Sequence, residues 1–322
     1  MSFSGIYAKI IQNQKAGVML LALTVQNVSK SFGSKKAVDN LSFEISQPGV
    51  FGLLGTNGAG KTTTIRMILG IIPKDEGVIH WDGKEITSKT VRYGYMPEER
   101  GIYPKVKILE QLTYFGQLRG MSRHDAAKAA KYWLERLGVA EYQNTLAEKL
   151  SKGNQQKIQL IAAIIHDPEL IFLDEPFSGL DPINTDVFKN IIEELISQNK
   201  IIVMSSHQMF TIEQYCRDLV ILNKGCTVLK GNLRAIKGGY GHTNLSLGCS
   251  PEAFEKALPV AERLGIKLIE KRANAYEFKI NGDESAHAFL RELVDSGICP
   301  DRFEIREPSL HEIFVEKVGA AE

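Results

Sequence analysis

The sequence predicts an α/β chain: a mixed-sheet core carrying a helical subdomain, followed by a small α+β domain of ferredoxin-like order. Three observations predict it. The apolar run Val50-Phe51-Gly52-Leu53-Leu54 enters the glycine-rich stretch Gly55-Thr56-Asn57-Gly58-Ala59-Gly60-Lys61-Thr62. Thr63-Thr64-Ile65-Arg66-Met67-Ile68-Leu69 leaves it with apolar residues at helical spacing, and Gly70 stops the helix. Downstream, the apolar Leu170-Ile171-Phe172-Leu173 ends in Asp174-Glu175-Pro176, as a strand buried on both faces does when its carboxyl edge carries ligand chemistry. Residues 241–322 then change texture and read strand, helix, strand, strand, helix, strand, with one closing helix.

The glycine-rich stretch fits G-x-x-x-x-G-K-[ST], the phosphate-binding P-loop, in the strand–loop–helix setting that the pattern requires. Glycines let backbone N–H groups approach and encircle phosphates, and a helix N-terminus favours negative charge. Lys61 can reach the β- and γ-phosphates, and the Thr62 hydroxyl can hold Mg²⁺. The plain alternative is a glycine turn that merely precedes a helix. Gly55, Gly60, Lys61 and Thr62 in register, with the right flanks, argue against it.

Composition bounds the rest. A chain of 322 residues allows two domains of ordinary size. Lys+Arg 39 against Asp+Glu 38 leaves a net charge of +1, so no electrostatic footprint points to nucleic acid. The 4 cysteines, Cys216, Cys226, Cys249 and Cys299, show neither metal-ligand spacing nor a disulfide framework. A reducing compartment suits them. No stretch approaches the roughly 20 apolar residues of a membrane span. Ala16-Gly17-Val18-Met19-Leu20-Leu21-Ala22-Leu23 imitates a secretory signal, but it runs directly into the alternating Thr24-Val25-Gln26-Asn27-Val28. Residues 1–20 are therefore expected to be an extension, with Met19 an alternative start.

In chain order, residues 23–28 form a first strand, followed by a turn-rich segment containing Phe32. Residues 41–45 form a second strand before Pro48-Gly49. Phe32 is either a stray surface aromatic or a stacking platform for a base, which needs only a π-face. Residues 78–81 and 91–96 give two more strands, the latter ending in Pro97-Glu98-Glu99-Arg100-Gly101. A helical subdomain is expected over about 100–165. Ser122 and Asp125 make a capping-box start there, Ala126, Ala130, Trp133, Leu134 and Leu137 form a core stripe, and Gly138 ends it. Residues 201–206 form a buried strand with His207 at its end, the same sheet edge as Lys61 and Asp174. Residues 218–222 and 226–229 close the domain as a hairpin. Its Asn223-Lys224 lacks the Asp that guanine selection would need two positions after the Lys.

These pieces, in this order, resemble the nucleotide-binding subunit of ATP-binding-cassette (ABC) transporters over about residues 21–240. Leu150-Ser151-Lys152-Gly153-Asn154-Gln155-Gln156-Lys157, between the two phosphate elements, resembles the family's L-S-G-G-Q signature. The resemblance implies two subunits sandwiching two ATP molecules, with Ser151 and Gly153 reaching the γ-phosphate held by the opposite subunit. It places Phe32 at the adenine-stacking position, residues 55–63 around the phosphates (Thr63 included), and Asp174 and Thr62 on Mg²⁺. Glu175 becomes the general base, Ser178-Gly179-Leu180-Asp181 the D-loop, and His207 the switch histidine. Lys152 and Asn154 depart from the signature. Met96-Pro97-Glu98 departs from the usual V-P-Q, so Glu98 would bring a charge beside the metal. Residues 97–104 and Glu307-Pro308-Ser309-Leu310-His311-Glu312-Ile313-Phe314 resemble the exporter branch that includes sodium-extrusion ATPase subunits, whose C-terminal accessory domain residues 241–322 resemble.

The resemblance thus implies an ATP-hydrolysing, Mg²⁺-dependent subunit that drives a separate integral-membrane permease from the cytoplasmic face. A second copy or a paralogous ATPase subunit would complete the dimer, and no nucleic-acid partner is expected. Two rivals carry different predictions. A non-transport cassette ATPase acting on ribosomes or nucleic acid fits poorly with one cassette and a near-neutral charge. A slow-turnover regulatory subunit is disfavoured by Glu175 and His207 and kept open by Glu98, whose charge could bind Mg²⁺ more firmly or repel the γ-phosphate.

Overall fold

The computed structural model describes residues 23–87, 89–99, 101–272 and 275–319. The expected extension over residues 1–20, Met19 included, lies outside them. Two compact units divide at Lys230/Gly231.

The first unit runs β1 (Leu23–Phe32), β2 (Lys35–Ile45), β3 (Gly49–Gly55), α1 (Lys61–Ile68), β4 (Glu76–Trp81), β5 (Tyr93–Met96), α2 (Ile108–Leu118) and α3 (Arg123–Arg136). It continues with α4 (Lys152–Ile164), β6 (Leu170–Asp174), α5 (Pro182–Ser197), β7 (Ile201–Ser206), α6 (Met209–Glu213), β8 (Cys216–Asn223) and β9 (Cys226–Asn232), which crosses the boundary. A six-stranded sheet has the order β5-β6-β7-β3-β8-β9. The pairs β5/β6, β6/β7, β7/β3 and β3/β8 are parallel. Every residue of β6 and β7 is buried, which their unbroken apolar runs require. Because Asp174 pairs with Ser205 and Leu54 with Ser206, the carboxyl ends of β3, β6 and β7 lie side by side. That register gathers the P-loop, the acid pair and His207 at one edge.

An antiparallel sheet of order β2-β1-β4 packs beside it, with Leu23 opposite both Ile45 and Trp81. Leu23, Val25 and Trp81 share one hydrophobic core with Phe51 and Leu53 of β3. Here β1 and β2 are longer than the sequence suggests. Val28 pairs with Leu41, Lys30 with Val38 and Phe32 with Lys35 across three register shifts. Bulges break the strict alternation that marks a strand, so Phe32 ends β1 instead of standing in a turn. In α3, Ser122 caps the helix by accepting from the Asp125 N–H and donating to its carboxylate. Ala126, Ala130 and Leu134 are buried, whereas Trp133 stays half-exposed. Gly138, at φ 65°, terminates the helix as a left-handed residue that favours glycine.

The second unit contains α7 (Leu233–Tyr240), β10 (Asn244–Gly248), α8 (Pro251–Arg263), β11 (Lys267–Lys271), β12 (Ala275–Lys279), α9 (Asp283–Asp295), β13 (Arg302–Arg306) and α10 (Leu310–Gly319). Its four strands pair antiparallel in the order β11-β12-β10-β13, the ferredoxin-like arrangement. Phe254, Ala257, Phe289 and Leu293 from α8 and α9 cover Leu245, Leu247, Tyr276 and Phe278 of the sheet. On the sheet, Arg306 pairs with Glu277 and Glu312 at 2.9 Å each. The helix α7, begun by an Asn232 cap, belongs to this unit, so the division falls at residue 230 and not after 240.

Candidate functional site

The P-loop leaves β3 at Gly55 and enters α1 through Gly60. Gly60 has φ 107°, and a Cβ there would lie 2.5 Å from the Ala37 carbonyl oxygen. At Gly55, with φ 149°, a Cβ would stand 2.3 Å from the Leu222 carbonyl oxygen. Only glycine fits either place. The loop is pinned from outside as well: Gly225 N–H donates to Ala59 O at 3.1 Å, and Asp39 N–H donates to Gly225 O at 2.9 Å. Thr56, Asn57 and Gly58 form an exposed crown, with Thr62 and Thr63 half-buried beneath it. The first turn of α1 has no side-chain cap and no acid, which leaves its N–H groups for an anion.

Lys61 curls back over the loop and is 6% exposed. Its Nζ donates to Gly55 O at 2.9 Å and Thr56 O at 3.1 Å, and stands 3.3 Å from Glu175 Oε1. The other Glu175 oxygen, Oε2, accepts a 2.9 Å hydrogen bond from His207 Nδ1, which fixes that tautomer. Glu175 itself takes φ 52°, a left-handed conformation that a non-glycine residue occupies at a cost. The turn after the strand pays it by aiming the carboxylate back at the P-loop.

Ser205 sets both acids. Its hydroxyl donates to Asp174 Oδ1 and accepts from the Glu175 N–H at 3.1 Å. Asp174 is fully buried; burial pushes its carboxyl up, against the downward pull of the Ser205 and Thr62 hydroxyls. Its Oδ2 is buried without a hydrogen-bond partner. An orphaned carboxylate oxygen beside a threonine hydroxyl is the donor set a hard divalent cation takes. Among the described residues no cluster of three or more His, Cys, Asp or Glu makes an all-protein metal cage. Exposed Glu98 lies within the same field. Partial burial and then the Asp174 and Glu175 charges raise its pKa, while Lys61 and His207 oppose them.

Phe32 stands apart from this cluster, 52% exposed at the end of β1 with Lys30 Nζ 5.5 Å from its ring centre. Asp75 holds that strand end, pairing with Lys30 at 2.6 Å and accepting from Ser31 N–H at 2.7 Å. Ser151 caps α4 by accepting from Asn154 N–H, and Gly153 packs on Asn184 and Leu180. Sequence reasoning passed over Ser205, which looked like one more residue of a buried strand. Its register opposite Asp174 was the missing signal.

A P-loop nucleotide-binding fold of the ATPase type is what this sheet order and site define. Comparison with known proteins agrees. The family model described as ABC transporter matches residues 38–178, and one described as ATP-binding protein DrrA1-3-like, C-terminal domain, matches residues 231–318. An uncharacterized ABC transporter ATP-binding protein, YhaQ of Bacillus subtilis (strain 168), is 44% identical over 92% of this chain and 99% of its own length. The Nod factor export ATP-binding protein I of Bradyrhizobium diazoefficiens is 34% identical over 93% of the chain and 97% of its own. The linearmycin resistance ATP-binding protein LnrL of Bacillus subtilis is 29% identical, covering 92% and 98%. A solved structure of an ATP-binding subunit of an ABC transporter superposes with a TM-score of 0.62 at 27% identity, over 68% of this chain and 92% of that one. The chain belongs to the ABC transporter ATP-binding proteins. Phe32 and His207 fall outside the matched 38–178 segment.

Proposed function

We propose that this subunit hydrolyses ATP and, through a head-to-tail dimer, drives a separate integral-membrane permease from the cytoplasmic face in the direction of export. The observation that carries the reading is the Glu175 carboxylate, held between Lys61 and His207 beside the buried Asp174. Phosphoryl transfer asks for positioning and charge neutralisation more than covalent chemistry. Residues 55–63 with Lys61 would bind the phosphates, and Phe32 would stack on the adenine. Asp174 and Thr62 would hold Mg²⁺, with Glu98 near it; the ion's role is to neutralise charge developing on the phosphates. Glu175 would orient the attacking water and take its proton, with His207 fixing the carboxylate. Ser151, the cap of α4, and Gly153, packed on Asn184 and Leu180, would serve the nucleotide of a second copy or of a paralogous subunit. The relatives named for linearmycin resistance and Nod factor export support the outward direction. No helix among the described residues is long and apolar enough to cross a membrane.

The test has two parts. The full chain should hydrolyse ATP in a Mg²⁺-dependent manner, and purification from membranes should bring down one integral subunit. A chain that binds ATP without turnover would leave the regulatory reading, which the charge of Glu98 keeps open. Recovery with ribosomes and no membrane subunit would replace transport altogether.

A further inference from the structure

Three glutamines of α4 spend their side-chain amides on backbone carbonyls of three different segments. Gln155 donates to Ala147 O at 3.1 Å and Leu150 O at 3.0 Å, which anchors the approach to the helix. Gln156 donates to Ser178 O at 2.9 Å, in the loop that follows Glu175. Gln159, one turn on and 5% exposed, donates to Glu99 O at 2.9 Å, the residue after Glu98. Residues three apart lie on one helix face, so Gln156 and Gln159 project from the same side. Each loop has close neighbours where it is gripped. Ser178 N–H closes a turn on Glu175 O at 3.1 Å, and a Cβ on Gly153 would touch Asn184 at 2.7 Å beyond the same loop. At Gly101, a Cβ would stand 3.0 Å from the Pro97 ring.

We infer that Gln156 and Gln159 are positioning residues through which one helix fixes where Glu175 and Glu98 stand relative to each other. The inference rests on the assignment of both carboxylates to the phosphate site made above. The ordinary role for such glutamines is to satisfy loop carbonyls and nothing more. What separates the two is specificity: each amide governs one carboxylate and leaves the other alone. A shift of about 1 Å in a catalytic group can cost on the order of 100-fold, whereas one lost neutral hydrogen bond is worth roughly 3- to 10-fold.

The experiment uses the full chain with Gln156→Met and Gln159→Met, which keep the side-chain length and remove the donor. Amide hydrogen exchange should accelerate in residues 176–181 for Gln156→Met and in residues 98–103 for Gln159→Met, with little crossover. In steady-state ATPase assays, Gln156→Met should lower kcat on the order of 100-fold with KM for ATP unchanged. Gln159→Met should leave kcat near the parent value and move the Mg²⁺ concentration for half-maximal binding of a fluorescent ATP analogue by roughly 3-fold. Equal effects of both variants on both loops, or unchanged exchange, would overturn the inference. So would the predicted exchange pattern with neither kinetic change. If the parent itself does not hydrolyse ATP, the functional reading fails, and the exchange pattern with the Mg²⁺-binding shift decides the positioning role alone.

Discussion

Lys61 Nζ and Glu175 Oε1 face each other at 3.3 Å, with both side chains almost wholly buried, 6% and 4% exposed. The pair joins two elements far apart in sequence, the P-loop and the end of β6. Each also has closer partners, Gly55 O and Thr56 O for Lys61 and His207 Nδ1 for Glu175, so the ion pair is one link in a chain of buried contacts. The cation proposed to bind phosphate and the carboxylate proposed as base therefore form one electrostatic unit.

Removing the cation tests that unit. Lys61→Ala should abolish tight ATP binding and leave Glu175 Oε1 as a buried, unpaired charge. Thermal unfolding with and without Mg·ATP is the measurement. The variant should melt lower than the parent and gain nothing from nucleotide. A normal ATP-induced rise in Tm would remove Lys61 from the phosphate site.

The two carboxylates should separate cleanly. Glu175→Gln keeps the shape and removes the charge, so ATP binding should survive while turnover falls ~10²–10⁴-fold, the range for losing a general base. ATP-bound dimers should then accumulate on size-exclusion chromatography. Glu98→Gln should preserve turnover and change mainly its Mg²⁺ dependence. An active Glu175→Gln beside a dead Glu98→Gln would exchange the two roles.

Phe32 is 52% exposed on a strand end clamped by Asp75. Phe32→Ala should weaken nucleotide affinity by about 1–3 kcal/mol if a base stacks on the ring. Fold stability should change little, because the ring contributes no core. Calorimetric titration giving the parent's affinity would return Phe32 to an ordinary surface aromatic.

Buried His166 makes stability depend on pH. Burial lowers its pKa from 6.5 to about 4, although its Nε2 bond to Tyr93 O at 3.0 Å pulls the other way. Below pH 6.5 the unfolded chain takes up a proton that the folded chain refuses, so this contribution to stability falls as pH drops, down to about 4. Between pH 7 and 5 the loss should be about 2 kcal/mol. Urea unfolding midpoints read it directly. His166→Gln should flatten the dependence, and a parent curve equally flat would contradict it.

Much of the site was legible because its parts announce themselves locally. A P-loop is a spacing, and Asp174-Glu175 and His207 follow apolar strands whose ends are visible as changes of polarity. The contributions of Ser205, Gln156 and Gln159 are tertiary: each matters for what lies opposite it in the register or across from a helix face. The outer halves of β1 and β2 were hidden by their bulges and by lysines and serines that read as loop. The unit boundary moved because α7 is short, with only Leu233 buried, and starts directly from the end of β9.

The order of strands in the large sheet also dictates a timetable. The P-loop strand, β3, finds its neighbours in β7 and β8, residues 201–206 and 216–223, and not in anything made near it. At synthesis rates of about 5–20 residues per second, a nascent chain carries a complete P-loop sequence on the order of 10 seconds before the strands that flank it exist. Nucleotide cannot act as an early folding template in this unit; it can stabilise only a sheet already closed. The C-terminal unit is under no such delay, since all its strands lie between residues 244 and 306. A growing chain should therefore carry residues 49–200 with their sheet incomplete until β7 and β8 emerge, which makes the larger unit the one exposed to chaperones and proteases during synthesis.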